Sequence, residues 1–215
     1  MSHFDFRRCD NATCGLRYPM AADDPRGPAC PRCGGPTTVE ATVCHAGRER
    51  PAPNSGAPRN TAQGIQVVAL IDNVRSLYNV GSFFRTADGA GIGCLHLCGI
   101  TPTPDNPKLA KTALGAEQSV PWRYHADAVA AARTLQQSGA RIVALETGGA
   151  ATSIFEVPTA DRSILVVGNE MAGIDPAILA LADLRAAIPM AGLKRSLNVA
   201  TAFGIAAYAL AGRSI

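Results

Sequence analysis

Aromatic residues are scarce in this chain, at 5% of 215 positions, and charge of one sign is lacking: 20 Lys and Arg stand against 17 Asp and Glu, a formal net charge of +3. So small a charge excludes holding a polyanion by bulk electrostatics. The balance is even along the chain, with 8 basic and 6 acidic side chains in residues 1–63 and 12 against 11 in residues 64–215. Any nucleic-acid contact must therefore come from local patches. No apolar run approaches the roughly 18 residues that span a bilayer, which excludes a transmembrane helix of ordinary kind. Met1 to Arg8 is polar and aromatic with no apolar stretch behind it, unlike a secretory leader. These absences predict a soluble, cytoplasmic protein with no membrane partner.

What the chain has is 47% hydrophobic residues, rich in Ala and Gly, enough for a sizeable core without disulfide staples. Three segments separate by composition. Residues 1–44 hold five of the seven cysteines. Residues 45–63 combine three Pro, two Gly and three Arg with no apolar period, the composition of a flexible, mildly basic linker. Over residues 64–215, apolar runs at 65–71, 94–100, 140–145, 163–167 and 184–188 alternate with helical patterns at 80–90, 127–137, 176–182 and 197–211. The runs are short, nearly continuous in apolar character and bounded by Gly, Pro or Asp, as parallel strands buried on both faces are. The predicted fold class is α/β, a mostly parallel sheet with its ligand loops beyond the carboxyl ends of the strands. Gly148-Gly149, Gly168 to Gly173 and Pro189 to Gly192 fall at such ends.

Cys9 and Cys14 are separated by four residues and Cys30 and Cys33 by two, with fifteen residues between the pairs. Gly34 and Gly35 permit a tight metal knuckle after the second pair. Two such pairs deliver four thiolates to one tetrahedral ion, and metal binding would supply the folding energy of a segment with few apolar side chains. The cluster resembles a rubredoxin-like zinc ribbon, although its first knuckle is wider than the commoner two-residue spacing. Cys₄ ligation admits both zinc and iron, and zinc suits an ordinary cytoplasm better. Cys44, beside His45, is left over. Cys94 and Cys98 read as small core residues.

Three blocks in the main segment carry chemistry. The first, Asn73-Val74-Arg75-Ser76-Leu77-Tyr78-Asn79-Val80-Gly81-Ser82-Phe83-Phe84-Arg85, leaves a strand and enters a helix that Asn79 is suited to cap, with Arg85 beyond it. The second, Val167-Gly168-Asn169-Glu170-Met171-Ala172-Gly173, ends a buried strand in a turn offering backbone donors and acceptors to a flat ligand. The third, Ile188-Pro189-Met190-Ala191-Gly192-Leu193-Lys194-Arg195-Ser196-Leu197-Asn198, leads into a long Ala-rich helix with Ser196 as its expected N-cap. Taken singly, each block is an ordinary loop or cap.

In this order and at these distances the blocks resemble the three signature motifs of the SpoU/TrmH family of the SPOUT superfamily. Lys111-Thr112-Ala113-Leu114-Gly115-Ala116-Glu117 is similar to a less diagnostic segment between the first two. The resemblance covers essentially all of residues 64–215. It implies an α/β domain with a carboxyl-terminal trefoil knot, a homodimer, and transfer of methyl from S-adenosylmethionine to a ribose 2′-hydroxyl of tRNA or rRNA. It further implies cofactor contacts from Leu145, Glu146, Gly148, Gly168, Glu170, Ile188, Met190, Ser196 and Leu197. Arg85, Asn79, Glu170, Ser196 and Asn198 are the implied catalytic set. Arg85 either accepts the hydroxyl proton or, since arginine stays protonated in proteins, fixes a phosphate and stabilises developing alkoxide charge. Methylation of a base, an idle RNA-binding scaffold, and a ribbon that docks a protein during ribosome assembly rather than RNA are the competing readings. Two departures stand out: the final helix ends Tyr208-Ala209-Leu210-Ala211 where a glutamate often follows the tyrosine, and a zinc ribbon stands where the usual RNA-binding extension would be. The ribbon, Arg48, Arg50, Arg59 and Lys194-Arg195 are the candidate RNA contacts.

Overall fold

The computed structural model describes residues 2–45, 66–148 and 151–212. Apart from His45, the linker expected over residues 45–63 lies outside the described residues, and Arg48, Arg50 and Arg59 with it.

Strands β1 (Ser2–Cys9), β2 (Arg17–Ala21) and β3 (Thr37–His45) form an antiparallel sheet in the order β2-β1-β3. Phe6, Leu16, Tyr18, Cys9 and Cys30 are almost fully buried beside it. So few apolar side chains make a thin core for a sheet of this size, and Ile100 of the main segment packs against it. The Cys30–Cys33 knuckle is shaped by two backbone bonds, Gly34 N–H to Cys30 O and Cys30 N–H to Gly35 O, both 2.8 Å. Gly34 turns there at φ +73°, a conformation that a side chain would strain.

The second sheet contains β4 (Gln66–Asp72), β5 (Leu95–Cys98), β6 (Trp122–His125), β7 (Arg141–Leu145), β8 (Thr152–Ser153), β9 (Arg162–Val167) and β10 (Leu184–Ala187). Their order is β6-β5-β4-β9-β7-β10-β8, and the pairings are parallel. Alternation along the strands feeds two cores. Ala69, Ile71, Leu165 and Val167 pack with the buried faces of α1 (Leu77–Ala90) and α6 (Val199–Leu210), where Phe83 meets Phe203 edge-on at 4.9 Å. Leu70, Ile164 and Val166 pack on the other side with α4 (Ala128–Gln137) and α5 (Pro176–Leu181). Each such large side chain withdrawn from water contributes about 1.5–3 kcal/mol. Against α1 lies α2 (Pro107–Ala113), followed by α3 (Ala116–Ser119). The approach of α2 requires Gly81, because a Cβ there would lie 1.9 Å from Thr112 Oγ1.

Two capping expectations are corrected. Ser76, not Asn79, caps α1, and its hydroxyl accepts the Asn79 N–H at 3.3 Å. Asn79 already stands in the first turn, three residues past the cap. At α6 the cap is Asn198 rather than Ser196, because residues 194–198 form no regular structure and the helix begins only at Val199. Four short elements, β6, β8, α2 and α3, were not expected from the pattern; runs of two to seven residues carry too little period to show.

The small sheet sits on the carboxyl rim of the large one. Arg17 N–H donates to Ala126 O at 3.1 Å, and the buried Arg17 guanidinium reaches Asp175 Oδ2 at 2.5 Å and also pairs with Glu40. Arg8 pairs with Asp127, the N-cap of α4. Asp175, in turn, caps α5 and donates its N–H to the fully buried Asp72 at the end of β4, 2.8 Å away. Burial pushes the Asp72 carboxyl up to about 7, and the neighbouring Asp175 charge adds to the rise.

Candidate active site

Strand order reverses around β4: β5 and β6 lie to one side, β9, β7, β10 and β8 to the other. Ligands of open α/β sheets bind at the carboxyl ends beside such a switch. There, the loops leaving β7, β9 and β10 close on a cavity of about 270 Å³, near the ~300 Å³ lower bound of small-ligand pockets.

Each loop is held by its own hydrogen bonds. Asn169 and Gly173 exchange backbone bonds of 3.0 and 2.9 Å, and Asn169 Oδ1 accepts the N–H groups of Met171 and Ala172 at 2.9 Å. The turn closes so tightly that a Cβ on Gly168 would lie 2.4 Å from the Gly173 carbonyl. Glu146, just past β7, accepts from Ile174 N–H at 3.2 Å and so joins two cavity loops. Asn169 Nδ2 donates to Asn73 O at 2.7 Å, tying the second block to the first. Asn73 itself is turned to φ 58°, with Oδ1 accepting Ile100 N–H at 3.0 Å.

Glu170 joins the first and second blocks more directly. Its carboxylate accepts Arg75 N–H (3.1 Å), Ser76 N–H (3.2 Å) and Asn79 Nδ2 (3.0 Å), an anion set at the amino end of α1 where the helix dipole favours it. Asn79 Oδ1 accepts Asn198 Nδ2 at 3.2 Å, and Asn198 caps α6 through Oδ1. One chain of polar groups therefore links all three blocks.

The expected cofactor residues Leu145, Glu146, Gly168, Glu170, Ile188, Met190, Ser196 and Leu197 all line the cavity, as does Asn198. Gly148 does not; it turns at φ +107° beside the lining residue Thr147. Asn79 stands behind Glu170, outside the lining. Arg85 is exposed on α1, also outside the lining, with no ion pair or hydrogen bond among the described residues. Lining residues that were not expected include Thr147, Val167, Asn169, Ala187, Val199 and Ala202. They flank the motifs, and apolar neighbours of this kind look like core in a sequence.

The four cysteines converge. The Sγ atoms of Cys9, Cys14, Cys30 and Cys33 all lie within 4.8 Å of one another, with Cys9–Cys33 at 3.4 Å and Cys14–Cys30 at 3.8 Å. Ligands ~2.3 Å from a tetrahedral zinc stand about 3.8 Å apart, so the donor set fits such an ion. The Gly35 N–H draws Cys33 down to about 7, and burial pushes Cys9 up to about 12. Cys44 stands apart from the cluster, 3.7 Å from the His3 ring.

A parallel α/β sheet with a cavity beyond the carboxyl ends of β9, β7 and β10, walled by three linked loops, defines the class of the protein. The SpoU rRNA Methylase family matches residues 66–208, and the chain belongs to that family. It is 34% identical over 174 residues to the 23S rRNA (guanosine(2553)-2′-O)-methyltransferase RlmP of Bacillus subtilis, covering 80% of this chain and 64% of the relative. With the tRNA (guanosine(18)-2′-O)-methyltransferase of Thermus thermophilus it shares 31% identity, over 65% of this chain and 71% of the relative. Among solved structures, the SpoU methyltransferase AviRb of Streptomyces viridochromogenes in complex with AdoMet superposes with a TM-score of 0.62 at 26% identity, covering 72% of this chain and 58% of that one. The chain thus spans about three fifths of the length of the first curated relatives.

Proposed function

We propose that this chain transfers a methyl group from S-adenosylmethionine to a ribose 2′-hydroxyl of rRNA or tRNA. The observation that carries this reading is the Glu170–Asn79–Asn198 chain, whose two outer members line the cavity. The names of the Bacillus and Thermus relatives support the acceptor, and the AviRb complex supports the cofactor.

Bound in the cavity, S-adenosylmethionine would supply an already activated methyl on a sulfonium, leaving the protein to position an oxygen and manage its proton. Backbone groups of the Gly168–Gly173 turn and residues 188–197 would hold the cofactor, with Ile188, Leu145 and Leu197 as apolar walls. Asn79, Asn198 and Ser196 would fix the ribose, and Glu170 keeps the Asn79 amide oriented. Arg85, with no ion pair or hydrogen bond among the described residues, would clamp the adjoining phosphate and stabilise charge developing on the 2′-oxygen, while that phosphate or water takes the hydroxyl proton and S-adenosylhomocysteine leaves.

The finer parts of the reading follow from the family. Residues 64–215 form the catalytic domain, knotted between residues 145 and 202, and it works as a homodimer in the cytoplasm. Residues 1–44 form a structural zinc ribbon joined through the segment 45–63. No helix among the described residues is long and apolar enough to cross a membrane. The test is incubation with radiolabelled S-adenosylmethionine and total RNA, followed by complete digestion. Label in a 2′-O-methylnucleoside is expected; label on a base alone would overturn the ribose assignment.

A further inference from the structure

We propose that the groove between the Cys30–Cys33 knuckle and the edge strand β6 is a nucleobase subsite for the RNA being modified, a reading that rests on the RNA methyltransferase assignment. The groove encloses about 560 Å³, enough for one nucleotide. Pro31 and Arg32 of the ribbon form one wall, and Trp122 and Tyr124 of β6 form the other, with Ile100 and Asp105 between. Trp122 and Tyr124 are two residues apart on an edge strand and so share a face. Both are only half-buried, in a chain poor in aromatics.

Arg32 is singled out by its lack of a carboxylate. Of the five ribbon arginines described, Arg7, Arg8, Arg17 and Arg26 each pair with an acid, and Arg32 does not. Its guanidinium lies over the Tyr124 ring, 5.6 Å from the centroid, with Nη1 3.4 Å from the hydroxyl. That hydroxyl donates to Gly99 O at 2.9 Å, which fixes the ring. Trp122, packed against the core yet half-exposed, and the Arg32 guanidinium that covers the Tyr124 ring are groups on which an unstacked base lies. Asp105, which accepts the Thr103 hydroxyl at 2.9 Å, repels phosphate and suits the amino or imino edge of a base. The groove therefore fits the base rather than the backbone. A chain with net charge +3 needs such stacking, because phosphate attraction alone is weak.

The position suits a strand that also reaches the reaction site. Thr101 lines the groove, and its hydroxyl accepts the N–H of Val74, which opens the loop leading to Ser76 and Asn79 (3.1 Å). The groove thus runs along the sheet edge from Trp122, which opens β6, to the loop after β5 at the carboxyl rim, where the first block lies between it and the cofactor cavity.

Trp122 is the chain's one tryptophan, so its fluorescence reports on the groove directly. The full, metal-loaded chain is titrated with short single-stranded ribo-oligonucleotides of mixed sequence. Saturable quenching of Trp122 is expected. In Arg32→Ala, an exposed change, RNA affinity should fall about ten-fold, the scale of one lost stacking contact. KM for RNA should rise with kcat near that of the unaltered chain, and S-adenosylmethionine affinity and metal content should not change. Unchanged RNA affinity in Arg32→Ala, or RNA binding that leaves Trp122 emission unaltered, overturns the subsite while methylation by the same preparation keeps the enzyme assignment intact. Failure of the unaltered chain to bind the cofactor or methylate RNA would instead overturn the assignment, and the subsite with it.

Discussion

Glu170 is the residue at which the three blocks meet. Three N–H donors converge on it, and Ala in its place leaves the start of α1 without that acceptor. Glu170→Ala should lower unfolding stability by about 1 kcal/mol, since the site is exposed and water replaces part of the loss. Methyl transfer should fall much further, because Asn79 loses its orientation; urea unfolding and transfer rates measured together separate the two effects. Arg85 makes the opposite case, exposed on α1 with no ion pair or hydrogen bond among the described residues. Arg85→Ala should leave stability and cofactor affinity unchanged yet slow transfer roughly 100-fold or more, the scale of a lost oxyanion donor. Retention of the wild-type rate would remove Arg85 from the mechanism. A third residue-level expectation concerns His96, whose Nδ1 lies 2.9 Å from His125 Nε2. Burial, then the His125 charge, lowers His96 to about 4, below its ordinary 6.5. A depressed histidine binds fewer protons folded than unfolded, so its contribution to stability is complete above pH 6.5 and is lost as pH falls toward 4. The urea midpoint should drop across that window, and His96→Leu should flatten the drop.

At the scale of elements, helix starts decide which polar side chains are available for chemistry. The Ser-Leu-Tyr-Asn and Ser-Leu-Asn-Val runs each contain two good capping residues, and spacing alone does not choose between them. In α1 the earlier one caps, which frees the Asn79 amide; in α6 the later one caps, which leaves Ser196 to line the cavity. The buried strands were legible because β4 and β9 are apolar on both faces. The edge strand β6, Trp-Arg-Tyr-His, was not, since an edge needs no such run. The docking of the ribbon was equally hidden, because a buried Arg17–Asp175 pair leaves no periodic trace in a sequence. Replacing one partner exposes its worth: Arg17→Met would leave Asp175 and Asp72 buried together without their cation and should cost about 3–5 kcal/mol in urea unfolding. The proposed zinc ribbon makes its own prediction for the neighbouring element: chelation should release one ion per chain and unfold β1–β3, seen as loss of their amide protection, while the larger sheet keeps its own core.

At the scale of the whole molecule, the proposed RNA substrate would have to be held by local contacts, because the chain is nearly neutral. The cysteine ribbon, the β5–β6 loops, the first block and the cofactor cavity follow one another along a single carboxyl rim. The three blocks were readable as motifs, whereas their linkage through Glu170, Asn79 and Asn198 required the fold, because it joins positions 91 and 119 residues apart. The central claim is methyl transfer to a ribose oxygen. Its most direct test is a map of 2′-O-methylation across rRNA and tRNA from cells with the native protein, cells without it, and cells carrying only Arg85→Ala. The account predicts a 2′-O-methyl group that is present in the first and missing from the other two. An unchanged ribose map, or loss of a base methyl in its place, would contradict it.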